Sequence, residues 1–235
     1  ELEQEWLEYP VLHLDLNAEK YDAPEQLWIL LNNQLSGWER LYGREESEET
    51  LSTRFSGIIR RAYERTGRQV VVLVDEYDKP LLQALKDEPL LDEYRKTLKA
   101  FYGVLKSSDR YLRFAFLTGV TKFSQVSVFS DLNQLVDISM LPQYVTLCGI
   151  THGELERDFE PELRSLSEQE GTSREETLQC LTRLYDGYHF SENTVGVFNP
   201  FSLLNVLQYS RYDSYWFQTG TPTFLVELLQ GSDYD

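Results

Sequence analysis

Two adjacent carboxylates, Asp75 and Glu76, end a run of five aliphatic residues, Val70 to Val74, in the string QVVVLVDEYDKP. An aliphatic strand ending in Asp-Glu is the Walker B pattern of ATPases, and its chemistry requires both acids. The first, Asp75, holds Mg²⁺ beside nucleotide phosphates, directly or through a water. The second, Glu76, orients and deprotonates the attacking water. A buried strand running into an acidic helix start looks the same, and the short motif alone does not choose between the two.

Further candidates lie nearby. The string YLRFAFL at 111–117 reads as the next strand and runs into Thr118-Gly119-Val120-Thr121-Lys122. A hydroxyl at that strand end could reach the water or the γ-phosphate, the role called sensor one. Thr118 is the first candidate for it and Thr121 the second. A capping Thr in a strand-end turn is the plainer account. Lys122 could approach a phosphate, although a surface Lys is the commoner outcome. Asp78 completes a DExD string, which raises a helicase reading, but no Ser-Ala-Thr motif follows. Asp78-Lys79-Pro80 is better read as a helix start with Asp78 as N-cap.

The elements that must position these residues follow from periodicity. Tyr9 to Leu16 alternates as a strand. Leu27, Trp28, Leu31, Leu35, Trp38 and Leu41 recur at helix spacing between Pro24 and Gly43, and Leu51, Phe55, Ile58, Ile59 and Ala62 mark a second helix ending at Gly67. Residues 70–74, all aliphatic, read as a strand buried on both faces, as in a parallel sheet. Two helical pieces follow, Leu81 to Lys86 and Leu90 to Lys106. The order strand, helices, strand is that of a parallel crossover. In such sheets ligands bind at the C-terminal edge, where Asp75 and Glu76 fall. Beyond strand 111–117 the expectations are an irregular helix from Phe123 to Leu135 and a fourth strand over 143–149. Helices are expected at Gly153–Glu170, Arg174–Asp186, Pro200–Tyr209 and Thr223–Gln230. A domain boundary is placed near residue 150, giving an α/β core over 1–150 and a helical subdomain over 151–235.

Composition narrows the function classes. Of 235 residues, 41% are hydrophobic, enough for a sizeable core. Thirty-nine acids against 22 bases give a formal net charge of -17, which repels phosphate backbones and disfavours non-specific nucleic-acid binding. The two cysteines, Cys148 and Cys180, sit among apolar neighbours, and the three histidines have no zinc spacing. No apolar segment approaches the roughly 20 residues needed to cross a bilayer. The expectation is a cytoplasmic protein with no membrane partner.

Several blocks coincide along the chain: VVVLVDEYDKP at 70–80, FLTGVTKFSQVSVFSDLNQLVDIS at 116–139, YVTLCGITHGEL at 144–155, YDGYHFS at 185–191, FNPFSLL at 198–204 and YWFQTGTPTFLVELL at 215–229. Together, and in this order, they resemble the AAA-ATPase-like family common in anaerobic bacteria, whose members often carry a C-terminal restriction-endonuclease-like nuclease domain. The resemblance implies a P-loop NTPase-type α/β fold, a parallel sheet flanked by helices and followed by a helical lid-like subdomain. It implies ATP and Mg as cofactors, Asp75 as metal ligand, Glu76 as catalytic base and Thr118 as sensor. Thr121 and Lys122 are implied near the nucleotide. Hydrolysis would control an attached or partner domain, with a non-hydrolysing scaffold as the alternative.

One departure stands out. No G-x-x-x-x-G-K-[ST] phosphate loop occurs upstream of Asp75, where the glycines are Gly37, Gly43, Gly57 and Gly67. In the family that loop precedes the block matching EWLEYPVLHLDL, at which this chain opens. The resemblance therefore implies a member lacking its phosphate-loop segment, with that strand missing from the sheet between the sensor strand and 143–149. The chain alone is expected to bind ATP weakly or not at all.

Overall fold

The computed structural model describes residues 6–120, 135–188 and 196–215. The chain divides into two compact units, residues 1–135 and 136–235, each with its own hydrophobic core. The boundary expected near residue 150 falls within the second unit. The expected helix Thr223–Gln230, and nearly all of Phe123–Leu135, lie outside the described residues.

The first unit is α/β. Its elements are β1 (Val11–Asp15), α1 (Pro24–Tyr42), α2 (Leu51–Thr66), β2 (Val70–Asp75), the short α3 (Lys79–Gln83), α4 (Glu88–Ser107) and β3 (Leu112–Leu117). The strands form a three-stranded parallel sheet in the order β1-β2-β3. Parallel strands cannot be joined by a tight turn, so helices carry each crossover. Local signals set the helix ends. Pro24 opens α1, where its fixed φ and missing N–H cost nothing. Thr50 caps α2 by accepting the Thr53 N–H, and Gly67, at φ 65°, takes the left-handed position that closes it. The chain then enters β2 within three residues.

The register fixes which side chains share a face. Leu12, Leu14, Val72 and Val74 are buried with Leu31, Leu35, Phe55, Ile58, Leu98 and Phe101 in one core. Phe55 stacks on Phe101 at 4.5 Å between ring centroids. The alternate positions, Val11, Val71, Leu73, Phe114 and Phe116, make an apolar row on the opposite face. That face stays partly open: Val11 is 50% and Phe114 54% exposed.

A buried polar knot joins α1 to α2. Arg54, 3% exposed, reaches both Glu39 carboxylate oxygens, at 2.7 and 2.9 Å. It also donates to Asn32 Oδ1 at 2.6 Å and to Ser36 Oγ at 3.1 Å. The planar guanidinium satisfies four acceptors at once, which an ammonium could not do.

The second unit is mainly helical among its described residues. It contains α5 (His152–Asp158), α6 (Glu160–Glu170), α7 (Arg174–Tyr185), a hairpin of β4 (Asp186–Tyr188) with β5 (Val197–Phe198), and α8 (Pro200–Tyr209). The expected single helix 153–170 is broken at Phe159, where Pro161 starts a new helix in its first turn. Capping boxes, Thr151 with Glu154 and Ser173 with Glu176, start α5 and α7. Leu155, Leu163, Leu166, Leu181, Phe198 and Leu203 fill the core.

One expected strand is absent. Residues 143–149 do not form a strand; Pro142–Tyr144 is a 3-10 turn, followed by further turns to an isolated bridge between Ile150 and Phe198. The β-rich composition of QYVTLCG suggested a strand, but no strand of the first sheet pairs with it. An extended segment without a ladder partner leaves its backbone groups unsatisfied, and turns satisfy them locally.

Arg54→Ala would strand the Glu39 carboxylate, whose side chain is only 10% exposed. Removing one partner of such a pair is expected to cost about 3 kcal/mol of stability. Urea unfolding of the variant against the parent chain measures it. An unchanged midpoint would show that Arg44, 3.7 Å from Glu39, or water takes over.

Candidate functional site

The three strands end side by side. In the register Asp15 lies opposite Asp75, and the Thr118 N–H donates to the Val74 carbonyl at 2.8 Å. Asp15, Asp75 and Thr118 therefore form a row across the C-terminal edge of the sheet, with neighbouring strands about 4.8 Å apart. Asp75 is exposed, and its Oδ1 accepts a short hydrogen bond from the Thr118 hydroxyl. The two residues singled out from separate stretches of sequence are thus in direct contact.

Glu76 follows Asp75 in a conformation its residue type disfavours. Its φ is +56°, the left-handed region, where a non-glycine residue costs roughly 1–2 kcal/mol. The turn it begins is closed by the Lys79 N–H on the Glu76 carbonyl at 2.9 Å. Glu76 is half-buried. Burial pushes its carboxyl above the ordinary range; the Lys79 ammonium opposes this, while the charges of Asp78, Asp75 and Asp15 add to the rise. A carboxylate raised in this way is more basic, which suits a group that takes a proton from water. Strained backbone at such a position is a common mark of a working site.

The loops after β2 and β3 are bonded to each other. The Tyr77 N–H donates to the Thr118 carbonyl at 2.8 Å. Asp78, with no exposed surface, receives the Val120 N–H on both carboxylate oxygens, at 3.2 and 3.1 Å. Asp78 occupies the expected N-cap position of α3, but its side chain makes no capping bond. Its φ of -100° and ψ of -4° are already helical, unlike the extended backbone of an N-cap that bonds its own first turn. Gly119 lies between the loops. A Cβ there would come within 2.6 Å of the Tyr77 ring and 2.7 Å of Asp78 Oδ1.

Thr121 and Lys122, the other nucleotide-site candidates, lie outside the described residues. Arg174 and Arg211, two basic residues of the helical part, are held in ion pairs, Arg174 with Glu160 and Glu156, Arg211 with Asp213. Among the described residues no group of three or more His, Cys, Asp or Glu side chains could hold a metal ion. Magnesium does not need one, because it is commonly held by one or two carboxylates with substrate phosphates and water. Asp75, exposed and next to a hydroxyl, suits that donor set.

Sequence reasoning missed Asp15. The signal was present, since Asp15 ends a strand of alternating leucines, Leu12, Leu14 and Leu16, and pairs in register with Asp75. The left-handed turn at Glu76 had no sequence signal, because a Glu there gives no hint of positive φ.

Two outcomes are expected. Gly119→Ala forces Tyr77 and Asp78 aside and should cost about 1–3 kcal/mol, read as a lowered urea midpoint. An unchanged midpoint would mean that the loops separate freely. For Glu76, a raised folded value means that proton binding favours the native state. Its contribution is full below the ordinary value of about 4.3 and is lost as pH rises through the raised value. Glu76→Gln should therefore raise the melting temperature at pH 7, and the gain should vanish on acidification below about pH 4.3. Equal melting curves at both pH values would argue against the raised carboxyl.

Comparison with known proteins places the fold and this edge in a context. The model of the AAA-ATPase-like family, described as predicted AAA-ATPase, matches residues 1–129, which include all three strands and the Asp75-Glu76 turn. An uncharacterized protein in the vnfD 5'region of Azotobacter chroococcum mcd 1 is 39% identical over 221 residues, covering 94% of this chain and 40% of that protein. The chain thus spans well under half the length of that relative. No solved structure matches. The parallel sheet flanked by helices is compatible with a P-loop-like fold, and a nucleotide-binding, ATPase-like module is what the match suggests. With more than half of its residues matched, the chain belongs to the AAA-ATPase-like family.

Proposed function

We propose that this module binds Mg-ATP and hydrolyses it by in-line attack of water on the γ-phosphate. The observation that carries the reading is the contact of Thr118 with Asp75 beside the strained, half-buried Glu76. Asp75 holds the magnesium ion, which neutralises charge on the phosphates. Glu76 orients the attacking water and accepts its proton, aided by its raised basicity. Thr118 fixes the Asp75 carboxylate by donating its hydroxyl proton to it.

Such a site needs a cradle of backbone amides and a Lys for the β- and γ-phosphates. We assign that cradle to a Gly-rich loop upstream of residue 1, on a strand that pairs with the outer edge of β3. Two features support the assignment: β3 is an edge strand among the described residues, and Phe114 on it is 54% exposed. The helical unit then serves as a lid, and turnover changes the state of an attached or partner domain, with a nuclease the leading candidate.

The test is a Mg-ATP binding titration on this chain and on the chain extended upstream through a phosphate loop. Binding by the extended form alone is the expected result. In that form Glu76→Gln should still bind ATP while turnover falls about 10²–10⁴-fold. Binding by neither form, or turnover indifferent to Glu76→Gln, would overturn the ATPase reading in favour of a scaffold that keeps the fold for protein contacts.

A further inference from the structure

Asp78 is the most deeply placed acid among the described residues of the first unit, and the mechanism above does not use it. Its carboxylate has no exposed surface. Burying a carboxylate is costly unless strong donors face it. Here both oxygens face the Val120 N–H, across from their own chain segment. The main-chain ladder between β2 and β3 has ended by then. Its last members are Thr118 N–H on the Val74 carbonyl and Tyr77 N–H on the Thr118 carbonyl. The next donor along β3's exit is the Val120 amide, and no β2 carbonyl is in line for it, because the chain has turned at Glu76. The Asp78 side chain takes the place of that carbonyl.

The same turn is held from beneath. The hydroxyl of Tyr102, buried in α4, donates to the Tyr77 carbonyl at 3.4 Å. Beyond the turn, the Leu82 N–H donates to the Asp78 carbonyl at 3.0 Å. Residues 76–78 are therefore bonded on three sides: to α4, to α3 and to the exit of β3. A left-handed Glu persists only where its surroundings over-determine it. The absence of room for a Cβ at Gly119 shows how closely the two loops approach.

Resting on the ATPase reading, we propose that Asp78 is a positioning residue for it. Its bond to the Val120 amide holds Glu76 in the left-handed turn and keeps Thr118 in register with Asp75. Asp78 acts by fixing the separation of the loop that carries the base from the loop that carries the hydroxyl. Displacing a reacting group by about 1 Å can cost on the order of 100-fold in rate.

The variant is Asp78→Asn in the full-length protein, with Glu76→Gln as control. Asn keeps the shape and one acceptor oxygen but loses the charge and the second acceptor. The expected result is a kcat about 10–100-fold lower, with the KM for ATP within about threefold. Amide exchange at Val120 should quicken at least about tenfold while Ile58, in the core of α2, keeps its protection. An undisturbed kcat alongside a disabled Glu76→Gln control overturns the proposal, and so does unchanged exchange at Val120. Equal loss of protection at Ile58 and Val120 makes Asp78 a general stabiliser and also overturns it. If Asp78→Asn does not fold, Tyr102→Phe removes the second tie on the turn. It should lower kcat selectively, and an unaltered kcat there counts against the proposal. If Glu76→Gln leaves turnover intact, the ATPase reading fails with the catalytic half of the proposal. The exchange at Val120 still decides whether Asp78 holds the two loops together.

Discussion

The pairing of β2 with strands on both sides is the constraint on which the first unit depends. A central parallel strand has no local partner; every one of its backbone groups is satisfied by a distant segment. Here those segments are 60 residues upstream and 43 downstream, as the pairs Val11 with Val71 and Val71 with Phe114 show. Helices α1, α2 and α4 are the spacers that make such distant pairing possible, and their buried faces cover the side of the sheet that carries Leu12, Val72 and Val74. The ladder also sets the chemistry. Because the strands end in register, Asp15, Asp75 and Thr118 arrive in one row without any side chain having to reach. The site is an outcome of register first and of residue choice second.

Most of this architecture was legible in the sequence because its signals are local. Pro24, Gly43 and Gly67 mark helix ends, and the five aliphatics at 70–74 read as a strand, although Val71 and Leu73 on its second face are only partly buried. Where a signal depends on a partner, the reading failed. QYVTLCG has the composition of a strand but no ladder to join. The hairpin of β4 and β5 escaped notice for the opposite reason: its strands are too short for alternation to show, and they form by pairing with each other and, through Phe198, with Ile150. At the site, Asp75, Glu76 and Thr118 could be named as candidates from the sequence, and the fold brings Asp75 and Thr118 into contact. The role of Asp78 could not. A carboxylate before Lys-Pro reads as a cap, and only the three-dimensional approach of residue 120 shows otherwise.

The second unit uses a different economy of polar groups. Two of its helices, α5 and α7, are started by reciprocal caps in which an acid three residues on accepts from the capping residue's amide. The backbone amides and hydroxyls of Thr151 and Ser173 hold Glu154 and Glu176 below the ordinary carboxylate range. Acids are thus stabilised in the ionised form at these helix starts, while Glu76 is pushed the other way. Residue type alone does not separate these cases; what differs is whether backbone donors or a half-buried, acid-crowded turn surrounds the carboxyl.

The row of Val11, Phe114 and Phe116, partly open among the described residues and next to an outer strand without a further partner among them, also has a colloidal side. Phe114 and Phe116 stack on each other at 5.9 Å, in a patch that a second molecule could meet as readily as a segment of the same chain. What keeps copies apart is long-range repulsion from a net charge of -17. That repulsion reaches about 10 Å at 0.1 M salt and only about 3 Å at 1 M. The chain in isolation should therefore stay dispersed in dilute buffer and accrete as ionic strength rises, because salt removes the barrier while leaving the apolar surface as attractive as before.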